Sequence, residues 1–330
     1  MSVATVSRAL ADDPLMAQET RALVRRIADE IGYVPDRAAQ RLRTGRTNVI
    51  SLILPPHEEI LGFGTSMIRG ISNVLRDTPY HLVVMPDFGQ EAPDHTIRRI
   101  VHNGLADGVL FSRTEPDDSR IKYLLEADFP FVSHGRTELA TPHPFVDFDN
   151  RDFARAAAVS LIEAGAGKLA ILLPPQRFTF AHHLLQGFMQ VARETGVQHE
   201  ILDGATLESH PSEIEAAIRK RFQEPNAPDG LILPGETSGL AALAAIQDLG
   251  LVPGRDVRLV VKQTAGFFDS VRPRVSSLYE DIAEAGETMA RFLLRRIGGE
   301  PAATLQFLQP IAKSAAAAEH PKAQAMSTEA

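Results

Sequence analysis

From Asn48 onward the chain alternates short apolar runs with longer stretches whose apolar residues recur every three to four positions. Short apolar runs read as buried strands, and the 3.6-residue recurrence reads as helices with one inward face. The pattern predicts strands over 49–54, 81–85, 107–112, 130–133, 145–148, 168–173, 229–233 and 257–261. It predicts helices over 64–77, 90–103, 117–127, 150–164, 181–195, 211–223, 238–249 and 280–297. Such alternation builds parallel sheets through right-handed crossovers, hence an α/β fold. More than six strand–helix units exceed one compact sheet, so two similar lobes with a cleft between them are expected. Residues 275–297 and 305–309 are expected to cross back and complete the lobes. The expected division is 48–162 with 278–300 in the amino-terminal lobe, and 163–277 with 301–312 in the carboxy-terminal lobe. Residues 313–330 are Ala-rich and polar, with no periodic face after Ala318, and are expected to be a disordered tail.

The first 46 residues follow a different rule and read as helices. Val3, Val6 and Leu10 fall on one face at i, i+3 and i+7, and Asp12-Asp13-Pro14 interrupts the pattern. A second helix over 18–31 would turn Leu23, Val24, Ile27 and Ile31 inward. Gly32 suits its C-cap, and Pro35 follows shortly after. Arg37–Leu42 has helical composition but almost no apolar face, and so short a helix is marginal alone in water.

A length of 330 residues accommodates two domains and a small third unit. No apolar run approaches the roughly 18 residues that span a bilayer. Met1–Leu10 lacks a basic segment followed by an apolar one, so no signal peptide is expected and the reading is cytoplasmic. The absence of cysteine excludes disulfides, thiolate zinc sites, iron–sulfur clusters and a cysteine nucleophile. The net charge of −8 argues against nucleic acid until its distribution is considered. Residues 1–46 carry eight Arg against six Asp or Glu, and Arg37, Arg41, Arg43 and Arg46 lie within ten residues opposed only by Asp36. A basic head on an acidic body suits a module that touches phosphates, although a solvated helix face has the same composition.

The run Ser2-Val3-Ala4-Thr5-Val6-Ser7-Arg8-Ala9-Leu10, then Glu19-Thr20-Arg21 and Ile31-Gly32-Tyr33-Val34-Pro35, resembles the DNA-binding headpiece of the lactose-repressor (LacI/GalR) family. Asp36-Arg37-Ala38-Ala39-Gln40-Arg41-Leu42-Arg43-Thr44-Gly45-Arg46-Thr47-Asn48 resembles that family's hinge helix. The resemblance extends to about residue 310. It implies an α/β protein with a truncated helical headpiece over 1–34 and a hinge helix or linker over 35–47. A bilobal periplasmic-binding-protein-like body of two parallel-sheet lobes would follow.

On this resemblance Thr5 and Ser7 meet phosphates and Arg8 reaches a guanine edge. Val3 and Ala4 lie where the family reads bases, suited to thymine methyl groups. Leu42 matches the wedge that enters the minor groove, with Ala39 one turn earlier on the same face. Arg37, Arg41 and Arg43 flank the backbone, and DNA becomes the partner of a segment that has no core-facing stripe. The family has a first helix and turn before the recognition helix. Here the sequence opens inside the motif, with Met1 where Val is expected, as if an internal valine codon were read as the initiator. A headpiece of that length is expected to be loose and to bind DNA weakly.

In the body, Asp147-Phe148-Asp149-Asn150 closes a strand and opens a helix, where Asp149 or Asn150 can act as N-cap. By resemblance Asp149 also matches a carboxylate that binds the effector, and Phe63 matches an aromatic that stacks on it. Arg113-Thr114 and His134-Gly135-Arg136 follow strands, at the ends where open α/β sheets bind ligands. Leu184 stands where many relatives carry an Arg three residues before Gly187, with His182 and His183 just upstream. Lys262-Gln263-Thr264 replaces a common Asp. Lys and Gln still bind hydroxyls, and the pattern is similar to relatives that sense α-glucosides or related disaccharides. The expected effector set is Phe63, Arg113, Thr114, Arg136, Asp149, His183, Glu236 and Lys262.

His182 and His183 with His199 or His210 match no closed metal set, so no metal is expected. Asp147 and Asp149 would lie on one side of a sugar, whereas hydrolysis needs carboxylates flanking the bond. No phosphate-binding glycine loop has the required spacing, and no cofactor is implied. The sequence therefore reads as a homodimeric regulator, a repressor, with operator DNA and a sugar effector as partners and no membrane or catalytic role. A bilobal sugar receptor without DNA binding and a sugar-processing enzyme are the rival classes.

Overall fold

The computed structural model describes residues 1–10, 12–33, 45–55, 61–87 and 92–312. Two helices, α1 (Val3–Leu10) and α2 (Gln18–Ile31), form the head. The first sheet contains β1 (Val49–Leu54), β2 (His81–Pro86), β3 (Gly108–Ser112), β4 (Phe131–His134) and β5 (Phe145–Phe148). Between them run α3 (Phe63–Leu75), α4 (His95–His102) and α5 (Ser119–Glu126). After α6 (Asn150–Glu163) a second sheet follows: β6 (Lys168–Ile171), β7 (Gln198–Ile201), β8 (Gly230–Leu233), β9 (Arg258–Gln263) and β10 (Ser276–Tyr279). Its helices are α7 (Thr179–Thr195), α8 (Pro211–Gln223) and α9 (Glu236–Asp248). Helix α10 (Ile282–Ile297) and strand β11 (Gln306–Gln309) end the described body.

The strand orders are β11-β5-β4-β3-β1-β2 and β10-β9-β8-β6-β7. Every named strand pair is parallel. In both sheets the order in which strands are added reverses at the first strand, β1 or β6, which leaves a crevice at the carboxyl ends of the strands beside it. Apolar clusters cover both faces of each sheet, as a parallel sheet requires.

Three sequence expectations are corrected. Strand 306–309 was expected in the second lobe; it pairs with β5 and extends the first sheet. Helix α6 was expected in the first lobe. Instead Phe153, Ala157 and Leu161 pack with Leu169, Leu184 and Ile232 under the second sheet. Its partner α7 approaches closely because residue 187 is glycine: a Cβ there would lie 2.0 Å from the Arg151 carbonyl oxygen. Third, residues 278–279, expected in the first lobe, belong to β10, which pairs with β9 in the second sheet; the helix expected from 280 starts at Ile282, and Glu280 belongs to the turn after a strand.

The head also differs in its faces. Ala9, Val24 and Ala28 are buried, while Leu23, Ile27 and Ile31, expected inward, are exposed, as is Val3 at 88%. Two helices meeting each other bury one narrow stripe apiece, and the small residues occupy that stripe. Gly32, in the left-handed conformation (φ 64°), ends α2 as expected. The hinge residues Arg37, Ala39, Arg41, Leu42 and Arg43 and the tail 313–330 lie outside the described residues.

Candidate functional site

A narrow cleft with a free volume of about 60 Å³ lies between the lobes, walled by residues at the carboxyl ends of strands from both sheets. The first lobe contributes Phe63 after β1, Ser112–Thr114 at the end of β3, His134–Arg136 at the end of β4, and Asp147 and Phe148 from β5. The second lobe contributes Phe180, Leu207, Pro234 and Lys262, and Glu280 follows β10.

The floor consists of charge pairs. Arg136 Nε lies 3.1 Å from Asp147 Oδ2, and His183 Nδ1 lies 3.9 Å from the same oxygen. Lys262 Nζ lies 2.6 Å from Glu280 Oε2, 3.4 Å from Asn150 Oδ1 and 5.1 Å from the centroid of the Phe148 ring. His134 Nε2 is 3.7 Å from Glu280 Oε1, and its ring meets Phe63 edge-on at 5.7 Å. Burial pushes the Asp147 carboxyl up to about 7, despite the opposing pull of Arg136. Burial pushes the His183 imidazole down to about 4, and the positive charge of Arg136 acts in the same direction. Asp147 Oδ2, Arg136 Nε and Glu280 Oε2 are buried in ion pairs that are not aligned as hydrogen bonds.

The rim bridges the lobes. Arg113, held at a left-handed φ of 59°, pairs with Glu208, and Arg177 reaches that same carboxylate at 3.2 Å. Arg120 donates to the carbonyls of Ser112 (3.2 Å) and Arg113 (2.7 Å), which fixes the turn carrying Arg113 and Thr114. The Thr114 hydroxyl donates to the Arg136 carbonyl at 2.9 Å. Opposite, His182 lies 3.2 Å from Glu138.

Of the expected effector residues, Phe63, Arg113, Thr114, Arg136 and Lys262 come together as cleft lining. His183 stands behind Asp147. Asp149 is not among the lining residues; its Oδ1 accepts the Asp152 N–H at 2.9 Å and caps α6. Glu236 is not among them either, being fully buried beneath the wall. The expected effector set left out Asp147, Phe148, Asn150 and Glu280, although the run 147–150 was singled out as a strand end and helix start. Asp147 lies near the carboxyl end of β5, the end where open α/β sheets bind ligands, so the strand reading itself marked it. Glu280 carried no usable signal once 280–297 was read as one helix. Among the described residues, no group of three His, Asp or Glu is arranged to hold a metal.

In the head, the Ser2 hydroxyl accepts the Thr5 N–H at 3.2 Å and starts α1. Val3, Ala4 and Arg8 are exposed and Thr5 and Ser7 half-buried. Arg8 pairs with Asp13 at 2.8 Å, and Arg21 and Arg25 both reach Asp12.

Residues 1–36 match the description "Bacterial regulatory proteins, lacI family", and residues 158–313 match "Periplasmic binding protein-like domain". The HTH-type transcriptional regulator AglR of Rhizobium meliloti (strain 1021) is 34% identical over 268 residues, which is 79% of this chain and 74% of AglR. The chain belongs to the LacI family. RafR of Escherichia coli, another HTH-type transcriptional regulator, is 30% identical over 79% of this chain and 78% of its own length. A solved complex of the transcriptional regulator CelR with cellobiose superposes with a TM-score of 0.69 at 25% identity, covering 94% of each chain. The lac repressor dimer bound to operator and an anti-inducer shares the fold at a TM-score of 0.79 and 19% identity, over 94% of this chain and 93% of that one. LacI-family proteins are DNA-binding regulators and not enzymes. Among the described residues of this member, no helix is long and apolar enough to cross a membrane.

Proposed function

We propose that this LacI-family chain is a cytoplasmic, homodimeric repressor whose grip on operator DNA is set by a neutral sugar, a disaccharide or α-glucoside, bound between the lobes. The observation that carries the reading is the pairing of the cleft's cations. Each already faces an acidic side chain: Arg136 with Asp147, Lys262 with Glu280, and Arg113 with Glu208. A phosphorylated or carboxylated ligand would have to compete with those acidic partners for the same cations. A polyhydroxylated neutral ligand instead supplies both donors and acceptors to buried atoms that lack aligned hydrogen bonds. The apolar rings of Phe63, Phe148 and Phe180 suit the CH faces of sugar rings. The disaccharide named in the CelR complex agrees with this chemistry.

Phe63, Arg113, Thr114, Arg136 and Lys262 would contact the sugar, with His183 and Asp149 acting from behind Asp147. Val3, Ala4, Thr5, Ser7 and Arg8 would face the major groove, and Arg37, Ala39, Arg41, Leu42 and Arg43 the minor groove and backbone. Two copies read two half-sites of a palindrome. By linkage, a sugar that weakens operator binding must itself bind more weakly to the DNA-bound form.

Calorimetry with neutral mono- and disaccharides, alongside a sugar phosphate, tests the ligand class. A neutral sugar should bind and the phosphate should not. A gel shift on palindromic promoter fragments tests the DNA role, with affinity falling steeply as salt is added. Equal affinity for palindromic and random DNA would leave a sugar receptor without a regulatory role.

A further inference from the structure

Glu236 opens α9 in the second lobe and is fully buried. Its Oε2 accepts the Leu61 N–H of the first lobe at 2.8 Å. Its Oε1 accepts the N–H groups of Thr264 at 2.8 Å and Ala265 at 3.2 Å, both in the second lobe. The Thr264 hydroxyl lies 3.4 Å from Glu236 Oε2 and 3.4 Å from the Leu61 carbonyl oxygen. One carboxyl group thus ties the loop after β1 to the loop after β9. Leu61 leads through Gly62, at φ 76°, directly into Phe63 on the cleft wall.

We propose that Glu236 is a latch between the lobes, a positioning residue that holds the closed arrangement and sets Phe63 over the bound ligand without touching that ligand. The chemistry favours a latch over a ligand contact. A buried carboxylate is tolerable only when its oxygens are hydrogen-bonded, and both are taken by backbone N–H groups. Its place in the first turn of α9 adds the favourable field of the helix amino terminus. Opening the lobes breaks the Leu61 bond and leaves one oxygen without its partner unless water reaches it. Closure is therefore favoured by the protein itself, before any ligand contributes.

The chain has no cysteine, so Glu126→Cys and Gln223→Cys place one spin label on each lobe. Without ligand, the parent protein should give one dominant inter-lobe distance. Glu236→Gln, whose amide sets N–H against N–H, should add a second, displaced population. Thr264→Val keeps every backbone donor and loses only the longer hydroxyl contacts, so it should displace a smaller population than Glu236→Gln does, and a larger one would overturn the assignment to Glu236. Identical distributions for the parent and Glu236→Gln would overturn the latch. The ligand arm rests on the sugar reading: with cellobiose as probe, a variant open nine-tenths of the time should bind roughly tenfold more weakly. Weaker cellobiose binding with unchanged distances would make Glu236 a ligand contact and overturn the proposal. A parent that ignores every sugar counts against the sugar reading alone, since the distance measurement needs no ligand. If Glu236→Gln fails to fold, amide exchange at Leu61 in the parent decides: slow exchange is expected, and exchange as fast as an open loop overturns the latch.

Discussion

Asp147 in the first lobe and His183 in the second face each other at 3.9 Å, with proton affinities displaced in opposite directions. Burial raises the Asp147 carboxyl to about 7 and lowers the His183 imidazole to about 4. Both groups are therefore neutral between those values, and they affect stability with opposite slopes. Asp147 ionises more readily when unfolded, so its contribution is full below about pH 4 and is lost as pH rises through about 7. His183 protonates more readily when unfolded, so its contribution is present above about pH 6.5 and is lost as pH falls toward 4. Thermal melts from about pH 4 to 7 should expose each slope separately. Asp147→Asn should leave a Tm that climbs with pH, and His183→Gln one that declines. Variant curves parallel to the parent curve would contradict this opposition.

Lys262 and Glu280 form the most buried ion pair of the cleft. Removing one partner leaves a charge in an apolar surround, at a typical cost of about 3–5 kcal/mol, whereas removing both can be nearly neutral. Lys262→Met should therefore destabilise far more than Lys262→Met combined with Glu280→Leu. Urea unfolding of the parent, both single variants and the double variant forms the cycle. Simple additivity would mean that the two side chains do not act as a pair.

Why some of this cleft was readable in advance and some was not comes down to sequence distance. Phe63, Arg113, Thr114 and Arg136 each follow a strongly apolar strand and Lys262 lies near the end of one, so the local pattern marks the end that carries a ligand site. The strands 49–54 and 145–148 and the helices starting at Asn150 and Pro211 were legible for the same reason. Glu280 was not, because Ser276–Tyr279 is four residues with weak alternation, and its place as a strand is fixed by pairing with β9. Strand β11 pairs with a segment about 160 residues earlier, which no local period encodes. Glu236 was counted in the expected effector set, but its donors lie 175 residues before it and 28 and 29 residues after. Only the assembled lobes reveal it as a bridge.

Gly135 is a second place where tertiary geometry dictates the residue. Its φ is +113°, and a Cβ there would lie 2.5 Å from the Thr114 hydroxyl oxygen. The Thr114 backbone carbonyl in turn accepts the Thr179 N–H at 3.0 Å and the Thr179 hydroxyl at 3.2 Å, a contact between the lobes. Gly135→Ala should therefore cost about 1–3 kcal/mol through backbone strain and the displaced threonine. It should also weaken sugar binding more than an alanine at the exposed Gly254. Melting curves and titrations of the two variants make the comparison, and equal effects would remove Thr114 from the argument.

On the proposed reading, a signal that begins in the cleft leaves the first lobe where the chain from the head enters it. Asp107, just before β3, holds that point. Its Oδ1 accepts the Thr47 N–H and hydroxyl, each at 2.8 Å, and its Oδ2 accepts the Asn48 N–H at 2.9 Å. These bonds make the start of β1 a rigid part of the lobe, so a rotation of the lobe moves the preceding segment with it. Asp107→Ala removes all three at a distance from the cleft. Each lost bond to a charged group is worth about 1.5–3 kcal/mol at most, and less at this half-buried position, so the lobe should remain folded. Sugar affinity without DNA should stay within about twofold, since none of the cleft lining changes. The factor by which the sugar alters operator affinity, read by fluorescence anisotropy on a promoter fragment, should shrink toward one. A reduced factor with intact sugar binding locates the coupling at the Asp107 tether. The parent factor retained in Asp107→Ala would mean that the lobes reach the DNA by another route.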